Sequence, residues 1–331
     1  MQDSFFSIMS KRQINKLIYT NYKDLFEKVK EAYSLHGQNK TSNPPSYFLR
    51  FPDKPTSRII ALPAALLGKE PVAGIKWIAS NPENLEIGLP RASGVIILND
   101  YETGIPKVCL EGSSISAFRT ACSAVIGAEY TVKNKNNIKL GIIGTGYIAQ
   151  KILECFLHLQ WDIERILIHD KLEQSSQKFK STFPKLDIAI AKNHNQVLQN
   201  SNLIVLATSS IVPYINDLEE LKHNPTILNI SLRDLSSEII LASNNVVDDI
   251  DHVLREKTSP HLAYLETGNK NFINTTIGDL INKGHNNFNA NKPTIFSPMG
   301  MGILDLSVAS YIYTQAYKNN EITPINNFFD S

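Results

Sequence analysis

The clearest chemistry in the chain lies in the run Lys139-Leu-Gly-Ile-Ile-Gly-Thr-Gly-Tyr-Ile-Ala-Gln150. Leu140–Ile143 is a short apolar run and reads as a strand buried within a sheet. It breaks at Gly144-Thr145-Gly146, and an amphipathic helix runs from Tyr147 to about Leu159. Strand, glycine turn and helix is the order of a dinucleotide-binding βαβ unit. In that unit Gly144 permits the tight turn. Gly146 lets backbone N–H groups approach a pyrophosphate at the positive end of the helix that Tyr147 and Ile148 open, and Ala149 stands where a third glycine often stands. A glycine turn alone is weak evidence, because such turns also serve structure only. Asp170 is the second clue. It follows the next strand, where a carboxylate can accept both ribose hydroxyls and repel a 2′-phosphate, so the cofactor expected is NAD. Lys171 beside it weakens the preference over NADP, and the plain alternative for Asp170 is a solvated loop aspartate.

These residues need a scaffold. Beyond Asn134–Asn137 the pattern alternates strands (139–143, 165–169, 186–191, 203–207, 226–230, 245–247) with helices (147–159, from 171 to about 182, and around 196–199). Such alternation calls for a parallel sheet covered on both faces. Its ligands lie outside the carboxyl ends of the strands, which brings in Thr208, Ser231 and Asp234, each just past a strand. Asp234 could equally be a cap or turn residue. Upstream, residues 12–36 have helical apolar spacing. Asn43-Pro44-Pro45 stops them, and mostly antiparallel strands follow at 47–51, 58–62, 72–80, 94–99 and 106–110, separated by turn clusters such as Pro52–Pro55. Lys76 sits inside an otherwise apolar strand, and Arg119 in a helix of small residues. The plain reading is that each snorkels to the surface or pairs with a core carboxylate. Toward the end, 262–265 and 274–282 read as helical, 294–296 as a strand and 297–302 as a flexible loop. A helix over 303–318 crosses back to the first domain.

The chain has 331 residues, enough for two domains, with 42% hydrophobic and 20% charged residues and a net charge of +1. That balance gives no basic field for nucleic acid. The first twenty residues lack the apolar core of a signal peptide, and no run is long enough to span a membrane. Cys109, Cys122 and Cys155 are far apart and read as reduced thiols of a cytoplasmic protein. The eight histidines show no metal-ligand spacing, so no metal is expected. Asn/Lys-rich patches at 133–137 and 286–292 read as surface loops.

Several motifs then line up in order: Gly74-Ile-Lys76-Trp-Ile78, Arg91-Ala-Ser-Gly-Val-Ile-Ile-Leu-Asn-Asp100, Ala117-Phe-Arg-Thr-Ala121, Gly144-Thr-Gly146, Asn229-Ile-Ser-Leu-Arg-Asp234 and Pro298-Met-Gly-Met301. Across nearly the whole chain this resembles the ornithine cyclodeaminase/μ-crystallin family. Tyr47-Phe-Leu-Arg50, Arg58-Ile-Ile-Ala-Leu-Pro63, Lys76-Trp77 and Pro298–Met301 are most similar to its 2,3-diaminopropionate biosynthesis branch. The resemblance implies an α/β protein. A Rossmann NAD-binding domain (131–302) is inserted in an α+β substrate-binding and dimerisation domain (1–130 and 303–331), and the molecule is a homodimer. It further implies that Arg50 and Arg119 hold the substrate carboxylate, that Lys76 lies near the substrate, where it binds a carboxylate or serves catalysis by helping proton transfer, and that Asp234 is the catalytic carboxylate; a substrate with three carboxylates makes Arg58 a third candidate anchor. Arg119, Thr120, Thr208, Ser231, Met299 and Gly300 would join Gly144, Gly146, Tyr147, Ile148 and Asp170 around the cofactor. Cyclodeaminases acting on ornithine carry a glutamate where Ile60 stands here, three residues before Pro63, and Arg58 on the same strand suits an anionic substrate. The implied activity is NAD-dependent oxidative hydrolysis of N-(2-amino-2-carboxyethyl)-L-glutamate to L-2,3-diaminopropionate and 2-oxoglutarate, for a siderophore or peptide natural product. The alternatives are an ornithine cyclodeaminase, an amino-acid or imine reductase, or a non-catalytic ligand-binding protein of μ-crystallin type.

Overall fold

The computed structural model of the chain describes residues 6–284 and 288–329. The outermost residues of the expected first domain, and residues 286 and 287 of the second Asn-rich patch, lie outside the described residues. The chain forms two compact units: residues up to Arg119 together with those from Met301 on, and Thr120–Gly300. The first division falls inside a helix, upstream of the 134–137 segment read as a hinge.

The first unit begins with β1 (Phe6–Met9), α1 (Lys11–Thr20) and α2 (Tyr22–Gly37). Ser10 caps α1 in a capping box with Gln13, which satisfies orphan N–H groups at both residues. The sheet continues with β2 (Thr41–Ser42), β3 (Tyr47–Phe51), β4 (Lys54–Leu66), β5 (Val72–Ser80), β6 (Ala92–Asn99) and β7 (Pro106–Glu111). Helix α3 (Gly112–Thr131) leads out of the unit, and α11 (Gly302–Lys318) and β16 (Thr323–Ile325) complete it. The strand order is β16-β1-β7-β6-β5-β4-β2, with β3 also paired to β4. Pairing is antiparallel except between β1 and β7. Strand β4 extends well beyond the expected 58–62. Phe51 pairs with Lys54, so the β3–β4 hairpin turns within Pro52-Asp53 alone.

Alternate residues of a strand face opposite sides. Leu62, Ala64, Lys76, Ile96, Leu98 and Leu110 share the inner side and are buried, and α11 lies on β4, β5 and β6 with α2 packed against it. The outer side carries Tyr47, Leu49, Ile59, Ala61, Ile75, Trp77 and Val95. It is apolar, yet half-exposed or exposed.

Among the described residues the second unit holds eight strands: β8 (Ile138–Ile143), β9 (Ile163–His169), β10 (Ile188–Ile190), β11 (Leu203–Leu206), β12 (Thr226–Asn229), β13 (Asn244–Val247), β14 (Ile273–Thr276) and β15 (Thr294–Ser297). Their order is β10-β9-β8-β11-β12-β15-β13-β14, with every pairing parallel. The helices are α4 (Tyr147–His158), α5 (Glu173–Thr182), α6 (His194–Asn200), α7 (Ser237–Ala242), α8 (Ile250–Val253), α9 (Ser259–Thr267) and α10 (Ile277–Lys283). The fold is an α/β Rossmann arrangement. Strands β11 and β12 are buried at every residue, as a sheet covered on both faces requires. From β8 the chain first builds outward to β9 and β10, then returns to β11 on the other side of β8. That reversal makes the carboxyl end of β8 the switch point where ligands of such sheets bind.

The segment expected as one helix over 274–282 divides. Ile273–Thr276 pairs with β13, and Thr276 then caps α10 by accepting the Asp279 N–H. A run of Asn and Thr suits an edge strand and a cap better than a helix interior.

Candidate active site

The parallel strands of the second unit present their carboxyl ends along one edge, and the predicted cofactor residues lie there. Gly144 adopts φ +87°, a left-handed conformation. Its N–H donates to the His169 carbonyl at 2.9 Å, and a β-carbon placed on it would stand 2.6 Å from the Ala207 carbonyl oxygen. Only glycine fits between β9 and β11 in that way. Gly146 is different. It is exposed, its φ is ordinary, and nothing lies within 4 Å of a β-carbon built there. It stands immediately before α4, whose first N–H groups have no intrahelical partner, with Tyr147 exposed and Ile148 half-buried beside it. The open space over these N–H groups fits a pyrophosphate.

Asp170 ties β9 to this turn. Its Oδ2 accepts from the Thr145 N–H at 2.8 Å and the Thr145 hydroxyl at 3.1 Å, and its Oδ1 accepts from the Leu172 N–H at 2.9 Å. A carboxylate offers about four acceptor positions, so this geometry leaves room for a ribose hydroxyl. The carboxylate is therefore part of the turn rather than a solvated loop residue.

Asp234 lies past β12 with no exposed surface. Thr208, past β11, donates to its Oδ1 at 2.6 Å, and Ser231 donates to its Oδ2 at 2.6 Å. The Tyr214 hydroxyl donates more weakly to Oδ2 at 3.4 Å. Burial raises the Asp234 pKa above the ordinary carboxylate value, and the three hydroxyl bonds oppose the rise. Burial, and then the Asp234 charge, push the Tyr214 phenol up. Three predicted residues thus form one cluster, Thr208–Asp234–Ser231, and Tyr214 joins it.

The 297–302 loop is held rather than flexible. Buried Asp248, at the end of β13, accepts from the Gly300 N–H at 2.6 Å and the Met299 N–H at 3.1 Å. Asp248 was legible only as a strand-end residue. Its bonds bring Met299 and Gly300 to the same edge of the sheet.

In the first unit the plain reading of Lys76 and Arg119 holds, and the core carboxylate is Asp305. The Lys76 ammonium donates to Asp305 Oδ2 at 2.6 Å and to the Ser116 hydroxyl at 3.3 Å. Arg119 Nε donates to Asp305 Oδ1 at 3.2 Å. Lys76 is 2% and Asp305 0% exposed, so that pair is buried, and the Arg119 side chain beside it is 11% exposed. Burial lowers the Lys76 pKa to about 8; the Asp305 charge opposes this and the Arg119 charge adds to it. Arg50 and Arg58 stand directly opposite each other across the β3–β4 ladder. They share the sheet face that carries Lys76. Like charges placed so destabilise a sheet slightly, and they attract an anion. Arg50 also lies over the Phe48 ring, 5.2 Å from its centroid. Thr120, next to Arg119 on α3, is half-buried.

Among the described residues no group of three or more His, Cys, Asp or Glu is placed to hold a metal ion, and no helix is long and apolar enough to cross a membrane.

Comparison with known proteins bears on these clusters. The model of the ornithine cyclodeaminase/mu-crystallin family matches residues 7–320. The N-((2S)-2-amino-2-carboxyethyl)-L-glutamate dehydrogenase of Staphylococcus aureus is 33% identical over 307 residues, 89% of this chain and 91% of that protein. An archaeal alanine dehydrogenase dimer with bound NAD is 26% identical, with a TM-score of 0.85 over 98% of this chain and 99% of that one. Thermococcus litoralis Delta(1)-pyrroline-2-carboxylate reductase, solved with NADH and L-proline, is 24% identical, with a TM-score of 0.87 over 97% of this chain and 100% of that one.

Proposed function

The chain belongs to the ornithine cyclodeaminase/mu-crystallin family. Within that family we propose an NAD-dependent dehydrogenase that cleaves N-(2-amino-2-carboxyethyl)-L-glutamate to L-2,3-diaminopropionate and 2-oxoglutarate. The named relatives are dehydrogenases or a reductase of amino-acid or imine compounds, and two of them were solved with NAD or NADH, which supports the broader class of NAD-dependent oxidoreductase. The observation that carries the specific substrate is the Arg50–Arg58 pair on the Lys76 face. A molecule with three carboxylates needs several cationic anchors, and arginine can hold each carboxylate through two parallel hydrogen bonds.

NAD⁺ supplies the hydride acceptor. Gly144, Gly146 and the first turn of α4, with Tyr147 and Ile148, hold its pyrophosphate. Asp170 takes a ribose hydroxyl, and Arg119, Thr120, Thr208, Ser231, Met299 and Gly300 contact the remainder. Arg50, Arg58, Arg119 and Lys76 bind the substrate carboxylates, which fixes the substrate carbon for transfer. Loss of hydride from the glutamate α-carbon and of a proton from nitrogen leaves an imine. Asp234 takes a proton from the water that adds to the imine carbon, and the raised pKa of this buried carboxylate suits a base. The carbon–nitrogen bond then breaks, releasing the keto acid and the diamine, a building block for a siderophore or peptide natural product. A second copy of the chain covers the outer apolar sheet face, as suits a relative of a dimeric alanine dehydrogenase. The unpaired cysteines suit a reducing cytoplasm.

The test offers NAD⁺ with N-(2-amino-2-carboxyethyl)-L-glutamate, ornithine or alanine and follows NADH absorbance. NADH formed with the first alone is the expected result. Proline and ammonia released from ornithine without net NADH would overturn the assignment.

A further inference from the structure

Asp305 lies on α11 among the buried apolar residues Ile303, Leu304, Leu306 and Val308. A helix packed in this way needs no charge to fold, and a buried carboxylate destabilises unless it is paired and hydrogen-bonded. Asp305 is paired twice, to cations from two different elements: Oδ2 to the Lys76 ammonium of β5 at 2.6 Å, and Oδ1 to Arg119 Nε of α3 at 3.2 Å. One oxygen serves each cation, so the rigid carboxylate sets the spacing between them. An ammonium has three donors, and Lys76 directs two of them to Asp305 and Ser116.

We propose that Asp305 is a positioning residue of the anion site, holding the Lys76 ammonium and the Arg119 guanidinium at a fixed spacing so that both meet one substrate carboxylate. This rests on the reading of Lys76 and Arg119 as substrate anchors. Lys76 then works as an ammonium rather than as a base, and Asp305 opposes the loss of its proton. The charged groups that bear on Lys76 are Asp305 from α11 and Arg119 from α3.

The test compares Asp305→Asn and Asp305→Glu with wild type in the full chain. NADH affinity is read by fluorescence titration. The Lys76 titration is read by NMR on Nζ-labelled lysine, its signal identified by its loss in Lys76→Arg. KM and kcat are read with N-(2-amino-2-carboxyethyl)-L-glutamate. In Asp305→Asn, KM rises about tenfold or more with a smaller fall in kcat, NADH affinity falls by less than KM rises because Arg119 alone of the released pair contacts the cofactor, and the Lys76 midpoint moves below its wild-type value. Asp305→Glu keeps the charge at a different reach, so the midpoint stays near wild type while KM rises about threefold. An unchanged Lys76 midpoint together with an unchanged KM in Asp305→Asn overturns the proposal. If Asp305→Asn yields no folded protein, a wild-type KM in Asp305→Glu overturns it. If wild type oxidises another amino acid instead, that compound's KM is read. The Lys76 midpoint needs no substrate, so failure of the substrate assignment stays distinct from failure of this one.

Discussion

Asp234 and Lys76 are both buried, and burial moves their pKa values in opposite directions: the carboxylate up, the ammonium down to about 8. The sign of the pH dependence follows. Asp234 acts as a base only when deprotonated, so kcat/KM should fall on the acid side, at a pH shifted upward from that of an ordinary aspartate. Lys76 binds a carboxylate only when protonated, so activity should fall again on the alkaline side, near about 8. A pH–rate profile of wild type checks both limbs, and a flat alkaline side through pH ~9 would show that Lys76 is not needed as a cation. Asp234→Asn should keep dinucleotide affinity and lower kcat by about a hundredfold or more, the usual scale of a general base. Near-wild-type turnover would remove Asp234 from the mechanism. Lys76 and Arg119 were legible in the sequence because a cation inside an apolar strand or a small-residue helix is conspicuous. Asp305 was not. It lies 229 residues from Lys76, on a helix whose apolar spacing drew attention to its neighbours, and a contact at that separation leaves no local pattern.

The glycine turn separates two uses of one residue type. Gly144→Ala forces a side chain onto φ +87° and against the Ala207 carbonyl, so it should destabilise the fold by about 1–3 kcal/mol, read as a lower melting temperature. Gly146→Ala meets nothing in the protein. It should leave the melting temperature unchanged and weaken NADH binding about tenfold, because the methyl group enters the space the pyrophosphate takes. Equal effects from the two would show that Gly146 serves the turn alone. On the first unit's sheet, Arg58→Gln removes half of a like-charged cross-strand pair. It should raise KM for the three-carboxylate substrate. A KM that does not move would take Arg58 out of the site. The strands carrying these residues were readable from period-2 alternation and turn residues. Short elements set by long-range pairing were not: β1 and β16 pair at the sheet's edge, and β14 is a strand because it adds to β13. The 297–302 loop looked flexible from its glycines and lacks regular structure, but Asp248 holds its backbone from another strand.

At the scale of the whole molecule, one strand serves two ends. On β5, Lys76 and Trp77 are adjacent and therefore point to opposite faces of the sheet. Lys76 is buried with Asp305, whereas Trp77 is 41% exposed among Tyr47, Leu49, Ile59 and Val95. A soluble monomer seldom shows an apolar sheet face of this extent, and obligate dimers bury about 2,000 Å² or more through such faces. A second copy of the chain covers it in the reading above. Trp77→Glu places a charge at the centre of that face without touching the inner side. It should convert a dimer to a monomer in sedimentation velocity at micromolar concentration. The wild-type melting temperature should rise with protein concentration, since a partner that binds only the folded state stabilises it by mass action, and the variant's should not. NADH affinity should survive in the variant, because every proposed dinucleotide residue except Arg119 belongs to the other unit of the same chain, and Arg119 lies on a helix rather than on the outer sheet face. A wild type that sediments as a monomer at every concentration would show that something other than this chain covers the face. A variant that loses NADH binding together with the dimer would show that assembly, and not the single chain, holds the dinucleotide site together.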